Sequence, residues 1–275
     1  MSDFILITGC STGIGWHLAQ RLKQEGYAVL ATARKEADVA NLQQSGLQAH
    51  ILDLNDEQSI EQAVNWAMTE SKGKLYGLIN NGAYGQTGAL EDLPTQALRE
   101  QFNTNLFGWH HLTRLILPVM LQQNQGRIIQ ISSLLGLVAM QYRGAYNASK
   151  FALEGYTDTL RLELRDTAIQ ISLVEPGPIR SEFRSNALKK FLQHIDAASS
   201  RHSKLYQQTL QRLQNPNPKN PFTLEPESCV APVLHALRSK RAKTRYGVTF
   251  PTHVFAFLRR VLPSRWLDGI LCRSA

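Results

Sequence analysis

A short apolar run that empties into three glycines constrains this chain more than any other stretch. Phe4-Ile-Leu-Ile-Thr8 is rich in branched residues, as a strand buried in a parallel sheet is. Gly9, Gly13 and Gly15 follow at once, and Ile14, Leu18 and Leu22 then recur at helical spacing until Gly26. A strand, a tight turn and a helix in that order gather backbone amides and the positive end of a helix at one point. Residues without a Cβ let a pyrophosphate approach that backbone. Glycines also serve ordinary turns, and the spacing Gly-x-x-x-Gly-x-Gly differs from the commoner Gly-x-Gly-x-x-Gly. The position at a strand-to-helix junction favours the nucleotide reading.

A second stretch runs from Ser132 to Lys150, SSLLGLVAMQYRGAYNASK. Tyr146 and Lys150 are four apart, so on a helix their side chains leave one face about a turn apart. A free phenol has a pKa of about 10, and a nearby ammonium favours the phenolate and lowers that value. Tyr146 is then a candidate general acid or base at a carbonyl or alcohol oxygen. Ser133, just beyond a strand, is placed to bind the same oxygen. Against this stands the plain alternative that a Tyr and a Lys at this spacing occur in many amphipathic helices.

With both stretches in view, the chain resembles the classical short-chain dehydrogenases/reductases. Thr8-Gly-Cys-Ser-Thr-Gly-Ile-Gly15 matches that family's cofactor loop, Tyr146-x-x-x-Lys150 its active-site pair, and Ser133 precedes the tyrosine at the usual interval. Asn105 stands where the family has its fourth catalytic residue. The matches keep their order from about Phe4 to Ser181. The resemblance implies an α/β fold: a single-domain, Rossmann-type, doubly wound parallel sheet with helices on both faces. It assigns catalysis to Asn105, Ser133, Tyr146 and Lys150. It assigns cofactor contacts to Gly9, Ser11, Thr12, Gly13, Ile14, Gly15, Arg34, Asp53, Leu54, Asn81, Gly82, Ala83, Tyr146, Lys150, Pro176, Gly177, Ile179 and Ser181, with no metal.

The chain between these points alternates strand and helix. Ala28 to Ala33 reads as the second strand and is followed by Arg34 and Lys35. An acidic residue at that point would take the free ribose 2′-hydroxyl, whereas Arg34 can pair with a 2′-phosphate, so NADP(H) is expected over NAD(H). The two cations also read as solvated loop charges. Gln48 to Leu52 reads as the third strand, ending at Asp53, which the resemblance sets against the adenine amino group and which otherwise is a strand cap. Asn55 with Gln58 suggests a capping box. The fourth strand, Gly77 to Asn80, leads into Asn81-Gly82-Ala83, where the family usually has Asn-Ala-Gly. One long helix is expected from Thr95 to Leu117, with Asn105 on its apolar side. The resemblance gives Asn105 a water that links the lysine to solvent, and the structural alternative is a buried Asn satisfied by local backbone. Arg127 to Ser132 and Ile169 to Val174 read as further strands. The latter runs into Glu175-Pro-Gly-Pro-Ile-Arg-Ser181, which resembles the loop beside the nicotinamide.

Residues 182–222 are polar, helix-compatible and broken by Asn-Pro-Asn-Pro-Lys-Asn-Pro221, and read as a substrate lid. A surface helix over Glu225–Ser239 and a last strand over Tyr246–Phe250 complete the core. The segment 236–275 carries nine basic residues and one acid, so its net charge equals the +8 of the whole chain. Apolar residues interleave with that charge. Such an extension either docks on the core with a solvated outer face, the favoured reading, or lies on an anionic membrane. No nucleic-acid motif accompanies it.

With 275 residues, 43% of them hydrophobic, the chain suits one domain over 1–275, with a catalytic and cofactor core over 1–181. The start, MSDFILITG, shows no charged leader, and Cys10, Cys229 and Cys272 are too scattered for a disulfide framework, so a cytoplasmic compartment is expected. Cys10 reads as a small residue in a turn, with alkylation as the sharper alternative. The Ala-Thr-Ala-Arg and Pro-Gly-Pro-Ile-Arg patterns resemble the branch of steroid and retinol dehydrogenases and bacterial NADP-dependent aldehyde reductases. That implies hydride exchange between NADP(H) and a lipophilic carbonyl or alcohol, of retinoid, steroid or acyl type, in a homodimer or homotetramer. A non-catalytic NADP(H) sensor has no need of the full Ser, Tyr, Lys and Asn set. A sugar-nucleotide epimerase or dehydratase shares the Tyr and Lys pair but spaces its glycines differently.

Overall fold

Seven parallel strands in the order β3-β2-β1-β4-β5-β6-β7 form the centre of the computed structural model, which describes residues 3–215 and 221–274. They are β1 (Phe4–Ile7), β2 (Ala28–Ala33), β3 (Gln48–Ile51), β4 (Leu75–Asn80), β5 (Gly126–Ile131), β6 (Ile169–Glu175) and β7 (Arg245–Gly247). The central strands are apolar on both sides, which commits each face of the sheet to a helical cover. On one face α1 (Gly13–Gln24) and α9 (Val230–Arg238) contribute Leu18, Leu22, Val233 and Leu237 against Ile5, Ile7 and Ile129. On the other, α3 (Glu57–Ser71), α5 (Gly108–Gln123) and α6 (Gly144–Glu163) bring Ile60, Val64, Leu112, Ile116 and Leu153 onto Leu6, Leu78 and Ile128. Each such side chain contributes roughly 1.5–3 kcal/mol on leaving water. The fold is therefore the single-domain doubly wound sheet expected from the sequence.

The winding reverses between β1 and β4, because the chain builds outward through β2 and β3 and then returns to build the other half. In open sheets of this kind the crevice above that reversal, at the carboxyl ends of the strands, is where ligands bind.

Several local expectations are corrected. The helix expected over Thr95–Leu117 is three pieces: α4 (Thr95–Phe102), a π turn at Asn103–Phe107, and α5. The helix after β3 is capped by Asp56, whose carboxylate accepts from the Gln58 amide at 3.0 Å, rather than by Asn55. α2 (Glu36–Gln44), which the residue pattern did not announce, joins β2 to β3. The helix expected over Glu225–Ser239 begins as a tight turn at Pro226–Cys229 before α9. Arg245–Gly247 forms the last strand, while Phe250 opens α10 (Phe250–Val261) with Pro251 at its first turn, where proline's fixed φ suits a helix.

The polar segment beyond Ser181 folds into α7 (Phe183–His194) and α8 (Ser203–Gln214), packed on Ala89 through Phe191, Ile195 and Tyr206. Most of the proline-rich break after it lies outside the described residues, as do Met1 and Ser2. α11 (Ser264–Ser274) and α10 dock through Leu271, Phe255 and Leu267 onto Leu134 and Val138. No helix among the described residues is long and apolar enough to cross a membrane.

Candidate active site

Loops after β1 and β4 meet over the reversal point. Thr8 accepts from the amides of Asn81 and Gly82 through its hydroxyl, each at 2.9 Å, and the Asn81 side chain returns donors to the carbonyls of Thr8 and Gly9 at 2.9 and 3.0 Å. A Cβ on Gly9, which has φ +69°, would stand 2.5 Å from the Gly82 Cα, and one on Gly15 would stand 2.2 Å from the Gly9 carbonyl oxygen. These two glycines are thus required by backbone touching backbone. Trp109 fixes the second loop by donating to the Gly82 carbonyl at 2.8 Å, Leu54 packs against Gly82, and Ala83 lies on the α5 side of the core. Cys10 faces inward, its thiol directed at the Ile7 carbonyl and pushed up to about 12 by burial, so the alkylation alternative is set aside.

The residues present fit a dinucleotide. Ser11 and Thr12 are exposed and Ile14 half-buried at the start of α1, whose N-terminus has neither a side-chain cap nor an acid in its first turn. Its leading amides are left for an anion. Gly13, with φ +58°, approaches Ser181 so closely that a Cβ there would be 3.0 Å from the Ser181 Cβ. Ser181 accepts from the Phe183 amide at 3.4 Å. The Pro176 carbonyl receives the Leu134 amide at 2.8 Å, Gly177 packs on Thr249, and Ile179 bridges to Leu224. Arg34 is exposed beyond β2. Asp53 uses one carboxylate oxygen for the amide and side chain of Asn55, at 3.0 and 3.1 Å, as the strand-cap alternative describes.

Ser133, Tyr146 and Lys150 come together above the ends of β5 and β6. Ser133 stands at the entry of a tight turn, Leu134–Gly136, accepting from the Leu135 amide at 3.1 Å, with its hydroxyl near the Tyr146 phenol. Burial pushes the phenol up to about 12, opposed by Ser133 and by the charge of Arg143. Lys150 is buried, donates to the Ile131 carbonyl at 2.8 Å, and lies 4.5 Å above the Trp109 ring. Burial pulls its pKa down to about 7, and Glu154 opposes the pull. Arg143 is one charge that lowers the phenol's pKa, and the Lys150 ammonium lies 5.8 Å from the Tyr146 ring centre.

Asn105 sits within the π turn, fully buried. It accepts from the Tyr84 amide at 3.2 Å and donates to the Tyr84 carbonyl at 3.0 Å and to Ser149 at 3.1 Å. Its partners are thus the backbone of Tyr84, beyond β4, and the Ser149 hydroxyl on α6, none of them local to its own helix.

Three further groups border this set. Arg143 lies just before Tyr146. Phe183 stacks edgewise on Tyr146 with ring centres 5.3 Å apart. Glu154 bonds Ser132 and, through its other oxygen, Arg245 at 3.1 Å, and Arg245 also meets Asp158 and Glu175. Burial and Glu154 push Glu175 up to about 7. The four-residue step from Lys150 to Glu154 is the one signal of them in the sequence.

Comparison with known proteins accords with this geometry. The family described as short chain dehydrogenase matches residues 3–191. The uncharacterized oxidoreductase YbbO of Escherichia coli (strain K12) is 40% identical over 271 residues, covering 98% of this chain and 94% of that one. Retinol dehydrogenase 5 of Homo sapiens is 33% identical over 283 residues, covering 98% and 87%. A short chain dehydrogenase/reductase from Burkholderia phymatum, solved in complex with NAD, has the same fold, with a TM-score of 0.78 at 24% identity over 98% of this chain and 95% of that one.

Proposed function

The chain belongs to the short-chain dehydrogenase family, and from that footing we propose that it reduces a lipophilic aldehyde or ketone with NADPH. The observation that carries the proposal is the proximity of the Ser133 and Tyr146 hydroxyls, with Lys150 buried one turn away. A carbonyl oxygen received between those hydroxyls is polarised by Ser133, and the neutral phenol of Tyr146, held up to about 12, donates its proton as charge develops. Lys150 contributes a charge fixed by the Ile131 carbonyl, and Asn105 holds the Tyr84 loop against α6. Gly9 to Gly15, Asn81 to Ala83 and Pro176 to Ser181 would hold the cofactor, which supplies hydride when bound.

Arg34 supports NADP(H) over NAD(H), because it is exposed at the ribose end and forms no ion pair among the described residues. Apolar substrates are supported by Phe183 on Tyr146, by Leu90 beside Gly144 and by the name of the human relative. We assign the α7–α8 segment the role of lid. Exposed Phe107, Leu121 and Leu162 near α5 and α6 support a homodimer or homotetramer through that face. Three free cysteines support a cytoplasmic setting. The extension of α10 and α11 docks on the core, as favoured from sequence, while its outer face keeps Phe257 and Trp266 exposed, which supports peripheral contact with an anionic membrane as well.

The test is NADPH oxidation by wild type and Tyr146→Phe across aldehydes and ketones graded in chain length, with NADH in parallel. Turnover that prefers NADPH, rises with lipophilicity and falls at least ~100-fold in the variant is expected. Tight NADPH binding without turnover of any carbonyl or alcohol would instead favour the sensor.

A further inference from the structure

Three arginines near Tyr146 feel one another's charge, and none has a carboxylate partner among the described residues. Arg143 precedes α6, is half-buried, and among the described residues its guanidinium finds a hydrogen-bond acceptor only in the Met140 sulfur, at 3.5 Å. Its backbone is pinned by pairing with Gly88. Arg184 is the second residue of α7, next to the Phe183 that covers Tyr146, and its Nη1 is sealed from solvent with no hydrogen-bond partner among the described residues. Arg212 lies in the last turn of α8.

Several other arginines answer to acids, Arg201 to Glu91, Arg238 to Glu25, Arg180 to Glu225 and Arg245 to three carboxylates, while others that form no ion pair among the described residues, such as Arg34, stand exposed in solvent. Among the described residues Arg143, Arg184 and Arg212 form no ion pair. Burial and the neighbouring Arg212 and Arg184 pull Arg143 down to about 10, and burial and Arg212 likewise lower Arg184. Arg143 and Arg184 are partly buried and Arg212 is exposed, and like charges brought toward one another at the edge of the fold are destabilising unless an anion joins them.

We propose that the substrate carries an anionic group, a carboxylate or a phosphate, on the chain leading away from its carbonyl, and that Arg143, Arg184 and Arg212 receive it. This rests on the reductase reading above and narrows its lipophilic carbonyl to an amphiphilic one. Guanidinium forks match the oxygens of both anions in bidentate fashion. The same charge serves orientation: with the anion held at the arginines and the apolar chain along Phe183 and Tyr142, the carbonyl end is left facing Ser133 and Tyr146.

The probes are ω-oxo fatty acids of graded length, ω-oxo alkyl phosphates, and methyl-terminated aldehydes of the same lengths, turned over with NADPH by wild type, R184Q/R212Q and R184K/R212K. For wild type, kcat/KM for the better anionic series exceeds that for the methyl series by about 10- to 100-fold. That ratio collapses toward unity in the Gln variant, returns in part in the Lys variant, and tells carboxylate from phosphate. A wild-type ratio of one or less overturns the proposal. So does an unchanged ratio in the Gln variant with weakened NADPH binding, since the arginines would then serve the cofactor's diphosphate. If wild type turns over no carbonyl, the reductase reading fails on its own, and calorimetry with a saturated fatty acid and an alkyl phosphate still decides. Binding lost in R184Q/R212Q upholds the anion site, and no binding by wild type overturns it.

Discussion

Glu154 follows Lys150 by one turn of α6, and it is the group whose charge raises the lysine's pKa against the pull of burial. Glu154 is itself fixed, by Ser132 on one oxygen and Arg245 on the other. Lys150 sits far below its ordinary 10.5, at about 7, so the ammonium is complete only below that value. If the ammonium is the working form, activity falls as pH rises through the lysine's pKa. Glu154→Gln keeps the shape and the bond to Ser132 but removes the charge. Lys150 then loses its proton earlier, and the alkaline limb of the kcat/KM profile moves down by about one pH unit. The loss relative to wild type is larger at about pH 8 than at about pH 6. A limb that stays in place would mean that Glu154 serves the fold alone.

The glycine loop offers a matched pair of substitutions. At Gly9, with φ +69°, a Cβ meets the Gly82 Cα at 2.5 Å, whereas at Gly26, with φ +90°, nothing lies within 4 Å. Gly26→Ala thus carries only the left-handed backbone penalty, of about 1–2 kcal/mol, and leaves NADPH affinity alone. Gly9→Ala carries that penalty and also drives the β1 and β4 loops apart, so it lowers the melting temperature further and weakens NADPH binding by at least ~10-fold. Thermal melts and fluorescence titration with NADPH distinguish the two variants. Equal behaviour would remove the argument that the two loops form one cradle.

Much of this was legible in the residues because each signal was local. The branched runs at Phe4, Ala28 and Arg127 could bury only as central strands, and Tyr146 and Lys150 share a helix face whatever surrounds them. What escaped needed the third dimension or a small break in period. The π turn at Asn103–Phe107 inserts its extra residue inside an apolar pattern that reads as continuous, and so lets Asn105 and Trp109 both be fully buried. At residues 248–250 the β-branched run Val-Thr suggests a strand, but Pro251 starts a helix there. Arg245 finds Glu154 and Glu175 because β7 pairs with β6, a register that no local pattern announces.

Arg34 tests the cofactor assignment. It stands exposed at the carboxyl end of β2, beside the reversal point, and no acid engages it among the described residues. Arg34→Asp replaces a partner for a 2′-phosphate with an acceptor for a 2′-hydroxyl. The ratio of kcat/KM for NADPH to that for NADH is expected to fall by about 10- to 100-fold, through a higher KM for NADPH at a nearly unchanged kcat. A ratio that does not move would place the selectivity elsewhere in the loop.

The outer face of the C-terminal helices carries a different kind of expectation. On α10 Phe250, Phe257 and Val261 recur at helical spacing with exposures of 65%, 63% and 52%, and Trp266 on α11 is 68% exposed. The opposite side is committed to the core: Phe255, Leu267 and Leu271 pack on Leu134 and Val138, and Arg259 bonds the Leu137 carbonyl while covering Phe151. Arg265 and Arg273 on α11 are exposed and form no ion pair among the described residues, and Arg260 on α10, also exposed, lies within reach of the Glu175 charge. An aromatic stripe with cations on the same two helices suits the headgroup region of an anionic bilayer, where each cation adds about 1 kcal/mol. Wild type should therefore sediment with phosphatidylserine-containing vesicles, much less with phosphatidylcholine vesicles, and progressively less as salt is raised. Phe257→Ser with Trp266→Ser removes apolar contact at positions that pack on nothing in the core, so vesicle binding should drop by at least ~10-fold while the melting temperature stays near that of wild type. Binding that is absent from both vesicle types, with an oligomer that dissociates in the same variant, would assign the face to a second copy of the chain instead.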